Sequence, residues 1–130
     1  MRRQKTSRDP IFATIAAHQK AAAALMVALQ HKWRLEDKLG DKAYDGHDPK
    51  WIAAEKAEDA AWRTRDAAAV RLVGIKPTTI DGAIALLNYF ADLGADDVPP
   101  ISERAAEKLG APFGCVVARN VALALERMAA

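Results

Sequence analysis

A single cysteine, Cys115, in 130 residues rules out an internal disulfide framework and fits a reducing cytoplasm. Runs of β-branched residues alternating with polar ones are missing, which argues against strands. Aromatic residues make up only 6% of the chain, so bulky core side chains are few. The hydrophobic content of 51% is dominated by alanine, the best helix former and one that adds little buried area. Phosphate-cradling glycine loops, Gly-x-Ser-x-Gly and Cys-x-x-Cys are all absent, which removes the common enzymatic signatures.

No stretch approaches the roughly 20 apolar residues of a transmembrane helix. Arg2, Arg3 and Lys5 precede AAAALMVAL, as the start of a secretion signal would. However, His18, Gln19 and Lys20 interrupt the apolar run, and QHKWRLEDK continues as helix rather than as a cleavage region. Strong charge of one sign is lacking too. The formal net charge is +2, and four of the 19 basic residues (Arg2, Arg3, Lys5 and Arg8) lie in the first eight positions. The body of the chain is therefore near neutral and offers no general attraction for a polyanion.

What the chain does contain is helix. Residues 78–93, TTIDGAIALLNYFADL, place Asp81, Asn88 and Asp92 on one narrow stripe at 100° per residue. Almost all other positions are apolar, including Ile80, Ile84, Leu86, Leu87 and Phe90. A helix apolar around most of its circumference is buried, so this segment reads as a central helix touched on two or three sides. Thr78 with Asp81 has capping-box spacing, Pro77 restricts the residue before it, and Gly94 suits the position past the C-terminus.

Along the chain, residues 1–8 read as a disordered basic tail and residues 9–130 as one helical domain. Asp9-Pro10 is an N-cap followed by a proline at the first helical position, and nothing stops that helix before Gly40. Ile11, Ile15, His18, Ala22, Leu25 and Leu29 step by three and four, close to a coiled-coil seam. Thirty residues make a rod of about 45 Å. After the polar loop GDKAYDGH, Asp48-Pro49 repeats the start signal, and Gly74 closes the second helix, with Ile75 placed for a Schellman contact. A short loop between long helices implies an antiparallel hairpin, which sets Glu55 and Glu58 near His31, Lys32 and Arg34. Ser102 opens a short helix ended by Gly110, and Pro112 opens the last, with Phe113, Val116, Val117, Val121, Ala124, Leu125 and Met128 on its apolar face. The predicted helices are about 9–39, 48–74, 78–93, 102–109 and 112–129.

Four groups could carry chemistry. His18 lies on an apolar seam, where a buried ring needs hydrogen-bond partners; with no His or Cys three or four residues on, it reads as a core histidine before a ligand or base. Glu55 and Glu58 put carboxylates on adjacent turns, but no Glu-x-x-His motif accompanies them, and pairing with Lys32 and Arg34 explains them. Cys115, among Phe113, Val116 and Val117, reads as a small core residue. Arg2, Arg3, Lys5 and Arg8 could contact phosphate. A helix-turn-helix fails, because TTIDGAIALL is followed by the acidic, proline-broken NYFADLGADDVPP where a recognition helix is needed. The crowded acids of the first loop (Asp37, Asp41, Asp45 and Asp48) do not match EF-hand spacing.

DPIFATIAAH at residues 9–18 and PTTIDGAIALLNY at residues 77–89 resemble a group of small bacterial all-helical proteins. These open with DPIFA-x-I-x-AH and carry a PTT-x-x-G-x-x-ALL-x-Y segment. Asp9, Pro10, Ile11, Phe12, His18, Pro77, Thr78, Thr79, Gly82, Leu86, Leu87 and Tyr89 carry the resemblance, which covers roughly the first three helices. The likeness implies an α-helical cytoplasmic protein and no particular activity. The C-terminal section departs from the group.

The sequence therefore implies an all-α helical bundle, in which a long antiparallel hairpin clasps a central buried helix and the last helix completes the packing. A hairpin longer than its central helix leaves apolar seam without a partner, which points to a homodimer. The leading expectation is a non-enzymatic interaction or regulatory module, acting on itself or on a protein partner, without cofactor, metal or membrane. Alternatives are nucleic-acid association through the basic N-terminal arm, and a metal or small-molecule site near His18, Glu55 or Glu58.

Overall fold

In the computed structural model, residues 9–93 and 100–130 are described. They form α1 (Pro10–Leu39), a 3-10 turn (Gly40–Asp45), α2 (Pro49–Gly74), α3 (Ile80–Leu93), α4 (Glu103–Leu109) and α5 (Phe113–Ala129), with no strand among them. The basic arm 1–8, with Arg2, Arg3, Lys5 and Arg8, and the expected stop at Gly94 lie outside the described residues.

The helix starts follow from local chemistry. The Asp9 carboxylate accepts from the Ile11 amide, and Asp48 accepts from Lys50 and Trp51. Ser102 Oγ accepts from Ala105. In each case a side chain satisfies an amide that has no intrahelical acceptor. α1 runs unbroken for 30 residues, about 45 Å, and pairs with α2 along the hairpin.

The main core lies at the open end of the hairpin. Ile11 and Ile15 of α1 meet Ala69, Leu72 and Val73 of α2, Ala83, Leu86 and Tyr89 of α3, Ile101, and Phe113, Val117 and Val121 of α5. Each fully buried leucine or valine contributes about 1.5–3 kcal/mol. The tip of the hairpin has a second small core of Leu35, Ala43, Trp51 and Ala54. Lys32 Nζ sits 5.1 Å from the centre of the Trp51 ring, and its bond to Glu58 at 2.8 Å is the expected cross-hairpin pair. The overhanging end of the hairpin therefore covers itself in part.

Several expectations are corrected. α3 is not buried all round: Gly82, Ala83, Leu86 and Tyr89 face inward, while Ile80, Ile84 and Leu87 are 60%, 50% and 45% exposed. The apolar arc is as wide as the residues imply, but this chain supplies neighbours for only part of it. The cap of α3 is Thr79, not Thr78, since Thr79 Oγ1 accepts from the Gly82 amide at 2.9 Å. α2 runs through Gly74, which does not take the left-handed φ of a Schellman turn, and Ile75 follows it extended at φ −107°; Asn120 of α5 donates to the Val73 carbonyl at 2.5 Å. Cys115 is exposed, not core; Phe113 and Val117 face inward, which turns the residue two places after Phe113 outward at 100° per residue. Leu125 is exposed as well. Residues Pro10–Asp45 do meet the length and apolarity of a membrane span, as does the bent α4–α5 pair taken together. Ile11, Ile15, Leu25 and Leu29 of that helix are buried, while its most apolar 18-residue window is 28% buried.

Asn120→Ala removes the donor that holds the last turn of α2 and is expected to lower stability by about 1–3 kcal/mol. Urea unfolding followed by circular dichroism measures it; an unchanged midpoint contradicts the capping role.

Candidate functional site: polar groups inside the bundle

Asp9 is 3% exposed and joins two helix N-termini. One oxygen caps α1; the other accepts from the Thr78 amide at 2.8 Å, the Thr79 amide at 2.9 Å and Thr79 Oγ1 at 2.8 Å. Thr79 Oγ1 passes the connection on to the Gly82 amide. Burial pushes this carboxyl up, but the hydrogen bonds from Ile11, Thr79 and Thr78 together outweigh it and hold it below its ordinary value. Gly82 lies directly against it. A Cβ there overlaps Asp9 Oδ2, comes within 2.7 Å of Asp9 Cγ, and lies 2.9 Å from Ile11 Cγ2. Asp9, Thr78, Thr79 and Gly82, which the two familiar stretches carry 69 to 73 positions apart, meet at this joint.

His18 is fully buried one turn further along the seam from Thr14. Its Nε2 lies 2.9 Å from the Pro100 carbonyl, and its Nδ1 is hydrogen-bonded to the Tyr89 hydroxyl. A carbonyl only accepts, so Nε2 carries the proton and the Tyr89 hydroxyl donates to Nδ1. The two rings meet edge to face, with centroids 5.6 Å apart at 80°. Burial lowers the pKa of His18; the bond to Pro100 opposes this, Arg65 reinforces it, and Asp66 opposes it. The net effect is a neutral imidazole tying α1, α3 and the approach to α4. The expected hydrogen-bonded core histidine is what the fold contains.

Arg65 and Asp66 form the third node, on α2. Arg65 is 1% exposed, stacks over Trp62 with its guanidinium 4.5 Å from the ring centre, and lies 3.6 Å from Asp66. Burial lowers its pKa and Asp66 opposes the shift. Asp66 also accepts from the Ser102 amide at 2.9 Å and the Ser102 hydroxyl at 2.5 Å, fixing the start of α4 as Asp9 fixes that of α3.

The other candidates do not join these nodes. Glu55 is exposed. Glu58 binds Lys32 and accepts from the Trp62 indole at 3.3 Å. Cys115 stands on the outer surface of α5. Among the described residues, no three His, Cys, Asp or Glu side chains are grouped to hold a metal ion. Arg65 was readable from spacing, because Trp51, Ala54, Glu58, Trp62, Arg65, Ala69 and Leu72 step by three and four along one stripe. Nothing local marks Asp66 or Asn120, whose partners are 36 and 47 positions away. No protein-family model, curated protein or solved structure matches the chain.

Proposed function

We propose that this protein is a non-enzymatic helical interaction module that works as a homo-oligomer in a bacterial cytoplasm, with the outer stripe of α3 as its contact surface. One observation carries the reading: Ile80, Ile84 and Leu87 are exposed at positions i, i+4 and i+7. That is the spacing of a two-helix seam, and it continues into the exposed Ala91. Large apolar side chains in a row on a surface mark an interaction site more often than scattered ones do. A second copy offers the same stripe, and a closed two-fold pair is the commonest way to bury it. The interior supports a structural role. His18, Asp9 and Asp66 direct their hydrogen bonds into joints between helices. The resemblance to small bacterial helical proteins supports the compartment.

Sedimentation equilibrium is expected to give twice the monomer mass of 14.1 kDa. Ile84→Glu, at an exposed position, should leave the helical signal intact. It should weaken the dimer by about 100-fold or more, since each copy loses about 1.5–3 kcal/mol of burial. A monomer at about 100 μM, where a pair of micromolar affinity is formed, removes the reading; retention of the dimer by Ile84→Glu moves the contact away from α3.

A further inference from the structure

Two open clefts on α2 differ in their charge. The one beside Lys32 and Trp62, about 520 Å³, is lined by Glu55, Glu58 and Asp59 as well as Lys32 and Lys56, so its lining is of mixed sign with acids in excess. The other, about 580 Å³, lies between α2 and α4 and carries Arg63, Arg104 and Lys108 together with the apolar Ala67, Val70 and Ala105. Its one acid, Asp66, has both oxygens engaged by Ser102. Arg63 is held by Asp59 at 2.6 Å. Arg104 and Lys108 stand at i and i+4, on one face of α4, and neither forms an ion pair among the described residues. Two cations without an ion-pair partner among the described residues therefore border an apolar wall, to which Val70 contributes a side chain of 46% exposure.

Exposed charge alone binds weakly, and apolar surface alone does not choose between ligands. A site with both favours a molecule with one anionic end and an apolar body. The cleft volume falls in the range of about 300–1,000 Å³ usual for small-molecule sites, well above the size of an inorganic anion. We propose that the α2–α4 cleft binds a small amphipathic carboxylate of the medium-chain fatty acid class. Its head sits between Arg104 and Lys108, and its chain lies along Val70, Ala67 and Ala105. No residue of α3 takes part, so the site is independent of the dimer surface.

Octanoate is the probe, titrated into the full-length protein with amide NMR shifts as the readout. Saturable shifts are expected at the Val70 and Ala105 amides with a Kd on the order of 1 mM, the affinity that about ten heavy atoms supply. Octanol, which lacks the charge, and acetate, which lacks the chain, should each bind at least about 10-fold more weakly. Arg104→Glu with Lys108→Glu, both at exposed positions, should keep the helical signal and weaken octanoate by a similar factor. Absence of saturable shifts, equal binding of octanol or of acetate, or unchanged affinity in the double variant each overturns the assignment.

Discussion

Gly82→Ala is expected to lower the stability of the protein by about 3–5 kcal/mol, since the new methyl group overpacks a filled site and displaces a buried, hydrogen-bonded carboxylate. The added carbon cannot be relieved cheaply. The atom it meets is the end of a side chain, but that end is held by the Thr78 and Thr79 amides and the Thr79 hydroxyl, with Ile11 closing the other side. Moving Asp9 aside breaks the joint between the starts of α1 and α3. Asp9→Ala should cost a similar amount by leaving the same donors without an acceptor in a dry site. The double variant should cost clearly less than the two single losses combined, because the overlap disappears once the carboxylate is gone. Urea unfolding of the three variants measures this, and additive losses would sink the claim that Gly82 is glycine on account of Asp9.

Acid is expected to weaken the fold in two stages, beginning with His18. The folded protein holds this histidine below its ordinary value of 6.5, so the unfolded chain takes up the proton first. Stability is flat above about pH 6.5 and then declines as pH falls toward the folded pKa, by at most about 1.4 kcal/mol per pH unit for one proton. Burial of the ring sets the direction, because the charged form loses its water; the bond to the Pro100 carbonyl opposes it, Arg65 repels the imidazolium, and Asp66 gives partial compensation. Asp9 produces the second stage. Its carboxyl is held below 3.8, so its contribution is complete above that value and is lost as pH falls through the folded pKa. His18→Gln keeps a polar group but cannot titrate. At pH 8 it should cost about 1–3 kcal/mol for imperfect hydrogen bonding, and its stability should stay level between pH 7 and the onset of the Asp9 stage. A decline in His18→Gln equal to that of the unmodified protein places the titrating group elsewhere.

The extent of the helices was legible from neighbouring residues. Asp9-Pro10, Asp48-Pro49 and Ser102 start helices, and Gly40 and Gly110 follow the ends of the first and last of these, because caps and stops act over two to four positions. His18 on the seam of α1 and the cross-hairpin Lys32–Glu58 bond were legible too, since helical periodicity and a short loop place them. The apolar arc of α3 was also correctly read; the error lay in supposing that this chain covers all of it. Periodicity tells how much of a helix prefers to be dry, not which molecule provides the cover.

The joints were beyond such rules. Asp9 as acceptor for α3, Asp66 as acceptor for α4 and Asn120 as donor to the end of α2 each connect positions 36 to 70 residues apart. A carboxylate at a helix start looks the same in sequence whether it caps one helix or two. Gly82 shows the same limit: alone it is a poor residue for a helix, and only the approach of Asp9 and Ile11 accounts for it. Short-range chemistry specified the helices and their inward stripes, because its interactions reach about one turn. Which helix ends meet, and which apolar stripe stays open, depended on how the whole chain packs.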